Sequence, residues 1–334
     1  MNIRDLAKIA GVSTATVSIV LNGKPGVGHE TRKKILEIAA QNGYSRRKKQ
    51  KEDSVGVLFI KYRQHGMLVE ENQGFIATIV DAIEQECRRR DCPLNMVISE
   101  GDLEATLLDA QNGGFKGIIV LGTELEEAQY PLLLSSALPL VVVDNNMAGV
   151  SVCAVGINNR ENIFKLTRYC ASQNFDHIGY IKSRIPAASF KERLEAFERC
   201  MNQLNLKKSE IISLTPTLMG AYNDMKDLLA KGFAPPDCMI ADNDTIAIGA
   251  IKALREHGIS VPGDVSVVGF DDIPFSSINS PPLTTINVPK ALIGKLAVEQ
   301  LFHLIKDARH RMVCLQVEGD LVLRDSIMPK SQQR

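Results

Sequence analysis

Residues 3–24 read IRDLAKIAGVSTATVSIVLNGK, and the fold turns on how that stretch divides. Asn2 can cap a helix with Asp5 at its third position, which would put Leu6, Ile9 and Ala10 on one face. The helix breaks at AGVS, where Gly11 permits a tight turn and Ser13 can cap a second helix with Thr16 placed to help. Val17, Val20 and Leu21 give that second helix its apolar stripe. NGKPGVG (22–28) is a loop by its glycines and proline. A third helix is expected from about Glu30 to Asn42 through Ile35, Ile38 and Ala39, with Gly43 ending it. Three short helices with a glycine turn between the first two describe a helix-turn-helix unit, although any small helical bundle shows the same periods.

The charge of this head sets it apart. Residues 1–51 carry eleven Lys/Arg against Asp5, Glu30 and Glu37, a net of +8. The whole chain holds 39 residues of each sign, so the remaining 283 carry −8. A small basic head on an acidic body implies a polyanionic partner for the head alone. At 334 residues, with 45% apolar and 23% charged residues, the chain has room for two or three domains with real cores. Charges in MNIRDLAKIA interrupt what a signal peptide would need, and no run of about 18 apolar residues exists to span a membrane. Seven scattered cysteines suit a reducing cytoplasm. Cys87 and Cys92 lie five apart without a second Cys/His pair, so no zinc site, and no other metal or cofactor, is expected.

Beyond residue 55 the chain alternates. Strand-like runs are VGVLFI (55–60), LNMVIS (94–99), GIIVLG (117–122) and LVVVDN (140–145), then HIGYI (177–181), EIISL (210–214), CMIAD (238–242) and VSVVGF (265–270). Amphipathic helices separate them at Phe75–Arg90, Arg160–Asn174, Ser189–Leu204 and Asn243–His257. Unalternating apolar strands between helices indicate parallel sheets covered on both faces, here in two series and hence two doubly wound lobes. A helix around Leu292–Ile305 would return the chain to the first lobe, and GDLVLRDS would close the second. Ligands of such sheets bind beyond the carboxyl ends of the strands, where Asp144, Asn145, Asp242 to Asp244, Asp271 and Asp272 fall. Asn243 or Asp242 could instead simply cap a helix, Asp272 serve a turn, and Phe75 be partly core. No G-x-S-x-G, H-E-x-x-H, Walker loop or strand-linked G-x-G-x-x-G occurs, so no enzyme is expected.

The opening stretch resembles, almost position by position, the DNA-binding head of the lactose-repressor (LacI/GalR) family, through Asp5, AGVS, Thr16-Val17-Ser18 and Leu21-Asn22-Gly23 together. The resemblance implies a second helix in the major groove, with Thr14, Ala15 and Ile19 at base-reading positions and Thr16, Ser18, Asn22 and Thr31 on phosphates. Ile19 stands where Arg is common, which favours a thymine methyl over guanine, and Gly28 replaces a usual hydroxyl. It also implies a periplasmic-binding-protein-like α/β body. The expected division is a helix-turn-helix domain at 1–45, a basic linker at 46–54 and an effector-binding and dimerisation domain at 55–334. Within the last, lobe 1 takes about 55–158 and 290–317, and lobe 2 about 159–289 and 318–330. Arg193, Asn243 (in NDTIAIGA), Asp271 (in GFDD), Phe75 and Ser189 match effector contacts, and Asp144 joins them as a strand-end carboxylate. Such a set suits a sugar or related metabolite. A second-lobe stacking aromatic would fall near Thr215, with Tyr222 and Phe190 the nearby substitutes. The implied protein is a cytoplasmic homodimer on a near-palindromic operator, more often a repressor than an activator. Relatives carry a hinge helix with an inserted leucine before the first strand. Here SRRKKQKEDS (45–54) has no leucine, so Arg46 and Arg47 are expected on phosphates instead.

Overall fold

The computed structural model describes residues 3–21, 27–28, 31–35, 38, 55–206, 208–307 and 309–333. The chain divides into two compact units, Met1–Ser54 and Val55–Arg334. In the first, α1 (Ile3–Ala10) and α2 (Thr14–Leu21) are followed by α3 (residues 31–35). Gly11 makes the turn with φ +68°, a backbone state that costs most residues a Cβ clash. Ser13 accepts the Thr16 N–H at 3.0 Å, the cap expected of it. Leu6, Ala7, Ala10, Val17, Val20 and Ile35 form the core. Ile9 does not join it. It is 52% exposed, because α1 turns positions 6, 7 and 10 inward and leaves position 9 outside that arc.

The larger unit holds two parallel sheets. The first runs β11-β5-β4-β3-β1-β2, from β1 (Val57–Arg63), β2 (Leu94–Glu100), β3 (Gly117–Leu121), β4 (Leu140–Val143), β5 (Cys153–Ile157) and β11 (Cys314–Val317). The second runs β7-β6-β8-β9, from β6 (Ile178–Ser183), β7 (Lys208–Leu214), β8 (Cys238–Ala241) and β9 (Ser266–Val268). A short antiparallel pair, β10 (Thr285–Asn287) with β12 (Asp320–Val322), lies beside it. The fold class read from the sequence is therefore the one observed.

Both faces of the first sheet are covered, which is why its strands read as unbroken apolar runs. Leu58, Ile60, Ile118 and Val120 pack under α6 (Leu103–Asn112) and α7 (Tyr130–Leu134). Val57, Phe59, Ile119 and Leu121 face α5 (Gln73–Arg89) and α13 (Lys290–Lys306). Burying each such side chain contributes about 1.5–3 kcal/mol. Those two helices cross closely at Gly294, where a Cβ would stand 2.5 Å from the Ile79 carbonyl oxygen. Helices α8 (Asn159–Ala171), α9 (Ala188–Gln203), α10 (Leu218–Ala230) and α11 (Asp244–Glu256) dress the second sheet. Among the described residues no helix is long and apolar enough to cross a membrane, and no group of three or more His, Cys, Asp or Glu is placed to hold a metal.

Candidate functional site: the helical head and the inter-lobe cleft

In the head, α2 buries Val17 and Val20 and turns Thr14 outward, with Thr16 and Ile19 half-buried. The Thr16 hydroxyl lies 2.8 Å from that of Ser13. Thr31 opens α3, where the Arg32 N–H donates to the Gly28 carbonyl at 2.9 Å. Ala15 and Ser18 lie on α2, but their side chains, like all of Asn22, Arg46 and Arg47, fall outside the described residues.

In the body, the strand ends of the two lobes face each other. Phe75, Asp144, Ser189, Arg193, Asn243 and Asp271 line one cavity of about 20 Å³, room for roughly one water. Leu68, Asn72, Thr123, Phe190 and Pro216 complete its wall. Lobe meets lobe where Asn72 Nδ2 donates to Asp271 Oδ2 at 3.1 Å. Arg193, 3% exposed, is held on several sides: Nε donates to Asn159 Oδ1 at 2.9 Å, Nη1 to the Asp242 carbonyl at 2.5 Å, and Nη2 stands 3.6 Å from Asp271 Oδ1. Its plane lies 3.8 Å from the Phe270 ring centroid. Glu192 Oε2 accepts from both Asn146 and Asn159 at 2.7 Å, extending the hydrogen-bonded chain back to the first lobe.

Two of the carboxylates sit on unusual backbone. Asp144 has φ +61° and Asp271 φ +110°, the latter a strained state of the kind that costs about 1–3 kcal/mol and gathers at functional sites. Burial, with the charge of Asp271 adding to it, pushes the Asp144 carboxyl up to about 7, while the Thr123 hydroxyl 2.6 Å away and the Arg193 guanidinium oppose the rise. Asp271 is itself raised by burial, with Arg193 and Lys290 opposing. Behind them Asp244 is pushed to about 7 by burial and by Asp271, while accepting from Ser276 and Thr285 at 2.6 Å. Asp242 is lifted to about 6 by burial, and Tyr180 and Ser183 hold it down.

A sequence profile for bacterial regulatory proteins of the lacI family matches residues 2–47, and one for a periplasmic binding protein-like domain matches 167–327. The HTH-type transcriptional repressor PurR of Aliivibrio fischeri is 31% identical over 336 residues, spanning 97% of this chain and 98% of its own. The chain belongs to the lacI family. The ribose operon repressor of Haemophilus influenzae, another such relative, is 30% identical over 336 residues, with 97% and 98% covered. The solved Lac repressor dimer bound to operator and the anti-inducer ONPF shares the fold, with a TM-score of 0.75 at 21% identity over 98% of this chain and 99% of that one. The lacI-family chain is thus a DNA-binding transcriptional regulator.

The six cleft residues expected from sequence come together, yet several carry local duties in this lacI-family body. Asn243 caps α11 by accepting the Ile246 N–H at 3.0 Å. Asp242 binds Tyr180 and the Ser183 N–H, each at 2.6 Å, and Asp272 pairs with Arg324 at 2.7 Å. Phe75 is 2% exposed and belongs to the core as well as to the cavity wall. Of the two substitute aromatics, Phe190 reaches the cavity, whereas the Tyr222 hydroxyl donates to Glu256. Sequence reasoning missed Asn72, Thr123 and Lys290. Asn72 directly precedes α5, which was the one available signal.

Proposed function

We propose that this lacI-family regulator is a homodimeric repressor whose operator affinity is set by a small metabolite, a sugar or a relative of one, bound between the lobes. The observation that carries this is the convergence of Asp144 and Phe75 from the first lobe with Arg193, Asn243 and Asp271 from the second on a single cavity. A ligand touching both lobes favours one inter-lobe angle, and it shifts DNA affinity only by its differential affinity for the two states. Repression is supported by the relatives named as the HTH-type transcriptional repressor PurR and the ribose operon repressor, and a sugar-like effector by the name of the second. Dimerisation is supported by exposed apolar side chains in two places: Met96, Val97 and Ile98 on edge strand β2, and Phe275 and Ile278 on α12 (Pro274–Ile278).

On DNA, Thr14, Ala15 and Ile19 would read bases while Thr16, Ser18, Asn22 and Thr31 position phosphates, with Arg46 and Arg47 adding backbone contacts. The leucine-free linker supplies no wedge, which supports a gently bent operator centre. Work on DNA supports a cytoplasmic place of action, and membership of a family of regulatory proteins supports a regulator without turnover. The test selects operators for the full chain from random DNA, then titrates metabolites against the selected duplex by fluorescence anisotropy. A near-palindrome whose affinity moves about tenfold or more with one metabolite is expected. Selection of no palindrome, or affinity that no metabolite moves, would defeat the proposal.

A further inference from the structure

We propose that the inter-lobe cleft selects a ligand bearing a protonated amine, such as an amino sugar or amino polyol, with its ammonium seated between Asp144, Asp271 and Asn72. This rests on the cleft being the effector site. The wall is rich in acceptors that lack donors. Asp271, 2% exposed, has an Oδ1 with no hydrogen-bond partner and only the Arg193 guanidinium 3.6 Å away, and Asn72 Oδ1 is likewise buried without a donor. An ammonium brings three N–H groups and no lone pair, whereas a hydroxyl brings one O–H and two lone pairs.

Charge points the same way. Asp144 and Asp271 line the cavity, and Asp242 and Asp244 lie buried behind it. Against these four carboxyls stand two buried cations, Arg193 and Lys290. Arg193 is engaged by Asn159 and the Asp242 carbonyl. The Lys290 ammonium donates to the carbonyls of Asp271, Asp272 and Val288. Neither cation reaches Asp144 by a hydrogen bond, and its partner is the neutral Thr123 hydroxyl. A buried, uncompensated carboxylate is costly, so a ligand cation gains what a neutral sugar cannot. A neighbouring groove repeats the pattern. It has a volume of about 560 Å³ and is lined by apolar Leu125, Tyr130 and Pro186 and by exposed Glu126, Glu127 and Glu195 against Lys191. Consecutive residues face the two spaces: Asp144 and Asn145, Ala188 and Ser189, Glu192 and Arg193. Such an acidic lining concentrates cations beside the cavity, and the groove has the volume for the body of a ligand whose amine is held at the neighbouring carboxylates.

The test uses matched probes on the full chain at pH 7.5, by thermal shift and calorimetry: glucosamine against glucose, galactosamine against galactose, and serinol against glycerol, with magnesium chloride as a plain-cation arm. At least one amine should bind about ten- to a hundredfold more tightly than its neutral isostere. Asp144→Asn and Asp271→Asn, each checked for folding by circular dichroism, should each erase that preference. If neutral sugars bind as well as the amines and still shift operator affinity, the amine selectivity is wrong while effector control stands. If no amine exceeds its isostere, or magnesium alone matches the amines, the selectivity is likewise overturned. Effector control itself then stands or falls on the operator titration described above.

Discussion

Arg193 is held by Asn159, the Asp242 carbonyl, Asp271 and the Phe270 ring, all of them groups of the protein itself. Its loss therefore does more than weaken effector binding. Arg193→Ala leaves buried carboxyls without their guanidinium, and breaking such a pair typically costs about 3–5 kcal/mol. Urea unfolding should show a loss of that order, and a variant as stable as the parent would mean the cation is not structural. The raised carboxyls at Asp144, Asp242 and Asp244 make a second prediction. Between about pH 4 and their folded values of about 6 to 7, the folded chain keeps these protons while the unfolded chain has lost them. Their contribution is whole below about pH 4 and fades as pH rises through 6 to 7. Over pH 5 to 8 the melting temperature should fall, and Asp144→Asn should flatten that slope; a rise would contradict it. At this scale the candidate cleft was legible where a carboxylate or amide ends an apolar strand, as at Asp144 and Asp271. Asn72 and Thr123 were not, because their place in the wall depends on how the lobes meet.

Helix α4 (Met67–Glu71) has five residues, too few to stand by propensity. It is anchored by Glu124, whose carboxylate accepts the backbone N–H groups of Gln64, His65, Gly66, Leu68 and Val69 at 2.8–3.2 Å. The negative charge sits where a helix start is positive, and it holds the segment that carries Leu68 and Asn72 to the cleft. Glu124→Gln should cost about 1.5–3 kcal/mol and speed amide exchange at residues 64–69, with unchanged exchange counting against the anchor. Elements were legible where β-branched residues run together. The Ile- and Val-rich runs at β1, β3 and β4 announced themselves, whereas β5 (CAVGI), β10 (TIN), β11 (CLQV) and β12 (DLV) did not. Five residues interrupted by Ala and Gly, or three or four with polar members, carry too little signal to be told from a loop. Their strand character comes from the neighbours they pair with.

For the whole molecule, the apolar patches on β2 and α12 bear on assembly. Ile278 is 75% exposed and Phe275 61%, on a surface otherwise rich in charge. Ile278→Glu combined with Met96→Glu should convert a dimer to monomers in sedimentation and weaken operator binding at least tenfold, since two half-sites then bind independently. A double variant that stays dimeric would place the interface elsewhere. The order of strands in the first sheet has another consequence, one of timing. Strands β1 to β5 of that lobe are made by Ile157, but α13 and β11 follow only from Lys290 onward, after the second sheet. During synthesis at about 5–20 residues per second, Ile76, Ile79 and Ile83 on α5 wait on the order of ten seconds for the helix that covers them. The first lobe to leave the ribosome thus waits through most of the second for its cover, and its bare helix face is where a chaperone would hold the nascent chain.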